Sequence, residues 1–350
     1  MGANDIKHLN KLFMKINQNI LQIISTKSNL GCSTTKEKYL LKMIREQLDF
    51  MINNSYQLAT SGFEYIFRAS KLQKSLRQLG LNGEEAKIIE RITENFIGNI
   101  IQSSIVAYNE LEKVVKNTRK EIMSIGGATS VLDDLYKKTF VENITKQGLT
   151  GFIDKSGKHW SLGAYTNMVL RTSIKTTQNY GVLYTYEHID LYKISKHNSV
   201  CPICAPLEGR VYSRSGKNKN YPPLALAFGK INPNGTNDLS NTYLNIHPNC
   251  QHALIPFTED FKSKKQIEEI REFSSFESNP PSRDPRSEKQ IQQYKKQQEA
   301  RNKLLNDFKQ FQQMKLKLGT SMPKTFQTFQ KHKLKGSENY KNWLNTFNNG

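Results

Sequence analysis

The sequence predicts an α+β protein in three stretches: a mainly helical N-terminal region, a small mixed α+β module of short strands around a Cys/His loop region, and a basic helical C-terminal tail. Three observations carry this. Apolar residues recur at every third or fourth position from Ile6 to Tyr108, the period of a helix with one buried face. Turn formers then crowd the middle of the chain: Pro206, Gly209, Ser215-Gly216, Pro222-Pro223, Pro233-Asn234-Gly235 and Pro248-Asn249. Beyond Pro280-Pro281-Ser282-Arg283-Asp284-Pro285, which cannot lie in one continuous helix, Lys and Gln dominate. The expected divisions are a helical region over 1–125, an α+β module over 126–260, a Pro/Ser-rich linker over 261–286 and a basic helical tail over 287–350.

A first helix carries Ile6, Leu9, Phe13, Ile16, Ile20 and Ile24, with Asn4 and Asp5 available as caps, and Gly31 breaks it. Ser33, Thr34 and Thr35 open a second, carrying Leu41, Ile44, Leu48 and Ile52. A third carries Phe63, Phe67, Leu72, Leu76 and Leu79 up to Gly80 and Gly83. A long fourth begins near Glu84 and carries Ile92, Phe96, Ile100, Ile101, Ile105 and Tyr108. Each stripe needs a surface to bury it, either in a self-contained bundle or on another protein. Gly126-Gly127 marks a boundary. A helix from Val131 to Thr145 leads to a small hairpin over Gly151 to Trp160, and another helix carries Tyr165, Met168, Val169 and Arg171. Leu191-Tyr192-Lys193-Ile194-Ser195 alternates like a strand and delivers the chain to a cysteine pair. Ser287 and Glu288 open the tail helix, with Ile291, Tyr294, Leu304, Leu305, Phe308 and Phe311 at helical spacing.

Composition narrows the function. Among 350 residues, 51 Lys and Arg face 31 Asp and Glu, a formal charge of +20. The mean hydropathy is −0.63 and the pI is about 9.6. Residues 261–350 hold 19 Lys and Arg against nine Asp and Glu, half of the net charge in a quarter of the chain. Such a balance points to a polyanionic partner. No run approaches the ~18 apolar residues of a membrane helix, and no secretory h-region or myristoylation pattern opens the chain. Four cysteines exclude a disulfide scaffold. The expectation is a soluble protein made in the cytoplasm.

The most specific chemical signal is cysteine and histidine spacing. Cys201-Pro202-Ile203-Cys204 is a C-x-x-C turn after a strand, and His247-Pro248-Asn249-Cys250-Gln251-His252 follows farther along. Two such turns aim thiolates and an imidazole at one point, at the ~2.3 Å sulfur distance of tetrahedral zinc. The expected ligands are Cys201, Cys204 and Cys250, completed by His247, whose turn Pro248 stiffens, or by His252 as the alternate. His197 ranks below both. A closed four-ligand Zn2+ site is structural, because it leaves no position open for water. Ordinary buried thiols remain the alternative, and a redox dithiol lacks a surrounding βαβ pattern. Lone Cys32 reads as a small hydrophobe.

Catalytic signals are weak. Asp154, His159 and His197 share no spacing rule that would make an acid/base set, there is no adjacent His pair for a His-Asn-His nuclease, and no phosphate-cradling glycine loop occurs. Arg171-Thr172 reads as a packing or capping element of its helix. No catalytic residue is assigned. The tail carries the other signal. Lys295, Lys296, Arg301, Lys303, Lys309, Lys315 and Lys317, followed by Lys331, Lys333 and Lys335, would track a phosphate backbone without reading sequence. Tyr294, Phe308, Phe311, Phe326 and Phe329 interleave with them, either to meet nucleic acid or to face a core.

The middle module resembles the phage minor capsid protein 2 family, related to the Mu-F-like head morphogenesis proteins. The resemblance runs through Gly126-Gly127-Ala128-Thr129, Gly151-Phe152-Ile153-Asp154 and Gly157-Lys158-His159-Trp160-Ser161-Leu162. It continues through Tyr165, Met168, Arg171-Thr172, Asp190-Leu191, Ser195-Lys196-His197 and Cys201-Pro202-Ile203-Cys204. Gly209-Arg210-Val211-Tyr212-Ser213, Tyr221-Pro222-Pro223-Leu224, His247 to His252 and Pro256-Phe257 complete the module, and Tyr294 to Leu305 resembles the family's basic C-terminal helix. The order of these pieces, over roughly 126–318, is what makes the likeness specific.

The resemblance implies a non-enzymatic virion component present in few copies, inside the capsid near the portal. It implies roles in head assembly and in handling packaged DNA. The expected partners are the portal protein, the capsid protein or both, and double-stranded phage DNA bound without sequence preference, with no membrane in the packaged state. Zinc rests on the spacing in this chain, not on the family. The competing functions are a metal-dependent nuclease or an ejected toxin acting on nucleic acid, and, more remotely, a cytosolic regulator.

Overall fold

In the computed structural model the described residues are 2–27, 33–71, 80–125, 129–146, 151–153, 159–228, 244–323 and 326–349. They are mostly helical, with a small antiparallel sheet. In chain order the elements are α1 (Gly2–Lys27), α2 (Thr34–Ser70), α3 (Gly83–Met123), α4 (Thr129–Lys146), β1 (Gly151–Ile153), β2 (His159–Ser161), α5 (Leu162–Thr185) and β3 (Leu191–Ile194). Then come β4 (Val211–Ser213), the one-turn α6 (Leu224–Ala227), β5 (Leu254–Pro256), α7 (Lys264–Ser274), α8 (Glu288–Leu318), α9 (Phe326–Lys335) and α10 (Glu338–Asn349).

The chain divides into two compact units, each assembled from three segments. One contains Met1–His8, Tyr56–Phe96 and Met168–Gln298; the other contains Leu9–Ser55, Ile97–Asn167 and Glu299–Gly350.

In the first unit, β3 is the central strand of a three-stranded antiparallel sheet ordered β4-β3-β5. Tyr192 pairs with Tyr212 on one side and with Pro256 on the other. The alternation in Leu191-Tyr192-Lys193-Ile194 works as period-2 sequence should: Tyr192 and Ile194 are buried while Leu191 and Lys193 are half-buried. Asp190 holds the end of β4, accepting from the Ser213 hydroxyl at 2.8 Å and the Ser215 amide at 2.7 Å. Helical segments of this unit pack on one another through Phe63 on Phe96, ring centroids 5.5 Å apart, and Phe67 near Tyr184 at 6.0 Å. Gly181 permits the close approach of α5 to α2, since a Cβ there would stand 2.8 Å from the Phe67 carbonyl oxygen.

The second unit buries the expected N-terminal stripes. Leu9, Phe13, Ile16, Ile20 and Ile24 of α1 are covered, as are Ile44 and Leu48 of α2, Ile100, Leu111 and Val115 of α3, and Tyr136 and Phe140 of α4. Glu37 is nearly buried; it accepts from the Tyr136 hydroxyl at 3.3 Å and pairs with Arg119 at 3.4 Å. β1 and β2 form the expected hairpin, with Phe152 opposite Trp160.

Some expectations are corrected at the level of elements. The second and third predicted helices are one, α2, running unbroken from Thr34 to Ser70. Polar residues between the two stripes bond back onto the helix: Asn54 donates to the Phe50 carbonyl at 2.7 Å, and Ser55 to that of Met51 at 2.6 Å. Leu72, Leu76 and Leu79 lie outside the described residues, as do Gly31, Cys32, Gly126, Gly127 and Pro233-Asn234-Gly235. α1 begins at Gly2, so Asn4 and Asp5 are inside its first turn. There the Asp5 carboxylate accepts from the Ser61 hydroxyl at 2.6 Å. Residues of the expected linker form α7, opened by a capping box in which Ser263 and Gln266 each satisfy the other's backbone amide. The tail is three helices instead of one, and α8 opens with a similar reciprocal pair, Ser287 and Gln290.

Candidate functional site

The Cys/His site is built from two loops of the first unit. The first leaves β3 at Ile194 and turns at Cys201-Pro202-Ile203-Cys204. The Cys201 carbonyl accepts from the Ala205 amide at 3.0 Å, and the Cys204 carbonyl from the Leu207 amide at 2.9 Å. This coiling brings the two sulfurs of the C-x-x-C to the same side. The second loop enters at Leu244 and doubles back at His247-Pro248-Asn249-Cys250, where the Cys250 amide donates to the His247 carbonyl at 3.0 Å. Asn249 adopts φ +65°, a left-handed conformation that Asn tolerates better than most residues.

α5 fixes the second loop. Asn179 donates to the Leu244 carbonyl at 2.7 Å and accepts from the Leu254 amide at 3.2 Å. Asn245 in turn donates to the Thr172 carbonyl at 2.9 Å and to the Thr176 hydroxyl at 2.7 Å. Thr172, expected as a packing element, is therefore part of the loop's seat.

The loops bring all five expected metal-site residues together in two overlapping groups. Cys201, Cys204 and His247 form one, and Cys204, Cys250 and His252 the other. His247 Nε2 lies 2.7 Å from Cys204 Sγ and 3.6 Å from Cys201 Sγ. Cys204 Sγ is 4.0 Å from Cys250 Sγ, which is 3.3 Å from His252 Nδ1. Cys204 and Cys250 are each only 3% exposed. His197 is turned elsewhere: its Nε2 is 2.7 Å from Ser195 Oγ, and its ring meets His252 edge-on at 5.0 Å. Asp154 lies outside the described residues, as does the side chain of His159.

Behind the sulfurs stands a residue that the spacing did not single out, Glu208. Its carboxylate accepts from His252 Nε2 at 2.6 Å, from the His197 amide at 3.2 Å and from the Ser199 amide at 3.0 Å. A buried carboxylate thus ties the loop before Cys201 to the loop after Cys250. Arg286 ties the same loop to the start of α8, donating to the Val200 carbonyl at 3.0 Å while Asp284 holds its guanidinium at 2.7 Å. Nothing in a single sequence distinguishes Glu208 or Arg286 from other surface charges.

The electrostatics are uneven. The hydrogen bond from Cys204 holds the Cys250 thiol well below its ordinary range against the upward push of burial, with His252 adding to the effect. The same bond, together with burial, pushes Cys204 up. Burial alone would lower His252, but its bonds to Cys250 and Glu208 prevail and raise it. Burial lowers Lys175, opposed by the attraction of Cys250. Cys250, His252 and Glu208 stand in the order of nucleophile, base and orienting acid. Cys250 is, however, only 3% exposed. Paired buried thiols with flanking imidazoles suit metal ligation.

The predicted nucleic-acid residues divide. Lys295, Lys296 and Lys303 are exposed on α8. The side chains of Arg301 and Lys309 lie outside those described. Lys315 is occupied by the Met322 carbonyl at 3.0 Å, and Lys317 by the Phe347 carbonyl at 2.6 Å while it lies over the Phe347 ring. Lys333 pairs with Asp307 at 2.6 Å. The interleaved aromatics form a core. Phe311 and Phe329 are buried with Met314 and Met322, and Phe326, Tyr340, Trp343 and Phe347 pack against them. Tyr294 instead lies beside the Arg286 guanidinium at 5.7 Å.

Comparison with known proteins gives two matches. The family model described as phage minor capsid protein 2 matches residues 5–323. A protein of Lactococcus phage LL-H described as a structural protein is 28% identical over 134 residues, covering 36% of this chain and 33% of that relative. The match thus spans about a third of the relative's length. No solved structure matches.

Proposed function

This chain belongs to the phage minor capsid protein 2 family, and we propose that it is a low-copy, non-enzymatic component of the phage head, placed inside the capsid near the portal. The observation that carries the reading is the extent of the family match, which includes the helical first hundred residues, the sheet and Cys/His loops, and α8 together. The chain acts as an adaptor. Its buried N-terminal stripes make rigid helical rods, and apolar residues left exposed on those rods, among them Met14, Phe50 and Ile105, suit a protein partner in the portal or capsid.

The formal charge of +20 suits contact with packaged DNA. Lys295, Lys296 and Lys303 of α8 are exposed and would be available for it. The helices of the described residues include none long and apolar enough to cross a membrane.

Quantitative mass spectrometry of purified, DNA-filled particles tests the reading by counting this chain against the portal subunit. A count at or below that of the portal is expected. Absence from mature particles would sink the structural role and return the nuclease alternative to consideration.

A further inference from the structure

Independently of where in the particle the chain sits, the geometry assigns its Cys/His cluster: we propose that Cys201, Cys204, Cys250 and His247 bind one structural zinc ion, with His252 and Glu208 as the pair that positions Cys250. Zinc takes thiolate at ~2.3 Å and imidazole at ~2.0–2.1 Å in a tetrahedron, so ligand atoms stand ~3.5–3.8 Å apart along its edges. Cys201 Sγ to His247 Nε2 at 3.6 Å and Cys204 Sγ to Cys250 Sγ at 4.0 Å are close to such edges. Cys204 Sγ and His247 Nε2, at 2.7 Å, are closer than an edge and separate when a cation enters between them.

The choice of histidine follows from what each ring already touches. His247 Nδ1 sits 2.7 Å from the Pro248 carbonyl, which accepts its proton and leaves Nε2 bare, facing both sulfurs of the C-x-x-C. A ligating histidine is oriented in this way, with its outer N–H given to an acceptor. The His252 ring is engaged at both nitrogens, by Glu208 at 2.6 Å and by Cys250 at 3.3 Å, and it faces the far side of the cluster. Turning it toward Cys201 would break its bond to the buried Glu208 carboxylate, which is costly.

Glu208 extends this support to the first loop, since it also accepts from the His197 and Ser199 amides. Arg286, anchored on the Val200 carbonyl beside Cys201, contributes positive charge from outside. The ion therefore pins together two loops, one between β3 and β4 and the other before β5.

The test uses the full chain, purified without chelator, with metal content read by plasma mass spectrometry and the ligand set read from the absorption of the cobalt-substituted protein. One zinc per chain and a cobalt spectrum of three thiolates and one imidazole are expected. Cys204→Ser and His247→Ala should lose stoichiometric zinc. His252→Ala and Glu208→Gln should keep one zinc per chain at 10–100-fold weaker affinity, as changes to a supporting residue do. The competing arrangement has His252 as the ligand and Glu208 as its orienting acid. If His252→Ala loses the ion while His247→Ala keeps it, the ligand assignment is overturned. If the wild-type chain holds no zinc and develops no cobalt–thiolate band, the site itself is overturned, whether or not the chain is found in particles. The wild-type cobalt spectrum keeps the test decisive should a cysteine variant fail to fold.

Discussion

Lys71 and Glu85 form an ion pair 2.7 Å long in which both residues are nearly buried, at 5% and 6% exposure. Glu85 does a second job at the start of α3, where its carboxylate accepts from the Asn82 amide at 3.1 Å and its own amide donates to the Asn82 side chain at 2.9 Å. The pair links the end of α2 to the cap of α3. Glu85→Ala should therefore cost about 3–5 kcal/mol, because it removes the carboxylate that faces a buried ammonium. The double change Lys71→Met/Glu85→Leu should cost much less, near the ~1 kcal/mol of a lost cap, since no charge stays behind. Urea unfolding of the two variants checks this. Equal losses would mean that the pair is not what holds these ends.

Arg210 is 2% exposed, yet among the described residues it is tied to carbonyls and not to a carboxylate. Its Nε donates to the Pro206 carbonyl at 2.6 Å, and its Nη1 to those of Asn279 at 2.7 Å and Ser275 at 3.3 Å, with Phe273 and Phe276 against its guanidinium. It thereby joins the loop just after Cys204 to the segment following α7. An ammonium cannot span these three acceptors, and a planar cation between two rings is not replaced by a point charge. Arg210→Lys should cost about 2–4 kcal/mol, from charged hydrogen bonds of ~1.5–3 kcal/mol each that are only partly remade. Hydrogen exchange over 275–285 is the readout. Protection equal to the wild type would remove Arg210 from this role.

Much of this fold is legible in the sequence because burial leaves a period. The stripes through Leu9, Phe13 and Ile16, and the alternation of Tyr192 and Ile194, mark buried faces correctly. The spacing of Cys201, Cys204, His247, Cys250 and His252 likewise names five residues that the structure gathers into two overlapping groups. Illegible were the features that depend on one partner far along the chain. Glu208 meets His252 across 44 residues and Arg210 meets Asn279 across 69, and neither contact leaves a periodic trace. The union of two predicted helices into α2 escaped as well; there Asn54 and Ser55 bond back onto the helix backbone. In the tail, helical spacing says that Phe311 and Phe329 share a face but not what covers it, which is the tail's own second and third helices.

That tail core should be fragile at one residue. Phe329 is fully buried and touches Phe311 at 5.3 Å, Tyr340 at 5.7 Å and Trp343 at 6.4 Å between ring centroids. Phe329→Ala should cost the ~3–5 kcal/mol of a buried aromatic. In a Trp160→Phe background, Trp343 is the single remaining indole, and its emission should shift to the red at lower urea in the variant. An unchanged Trp343 transition would mean that the helices of the tail do not depend on this core.

The lysines of α8 make the sharpest distinction between a charged surface and a binding surface. Lys295 and Lys296 are exposed, whereas Lys315 and Lys317 spend their ammonium groups on the Met322 and Phe347 carbonyls. If α8 lies along packaged DNA, each exposed lysine that neutralises a phosphate releases condensed counterion, and log K falls with log salt at a slope of about −0.9 per contact. Removing both with Lys295→Ala/Lys296→Ala should make the slope shallower by about 1.8 and weaken binding equally on unrelated duplexes. Lys315→Ala/Lys317→Ala should leave the slope unchanged and instead lower the unfolding midpoint of the C-terminal helices, because those ammonium groups close the ends of a helical core. Fluorescence anisotropy on two duplexes of different sequence, measured across a salt series, separates the outcomes. A slope that ignores Lys295 and Lys296 would place the DNA contact on some other part of this basic chain. A slope that responds to Lys315 and Lys317 would mean that the tail opens before it binds.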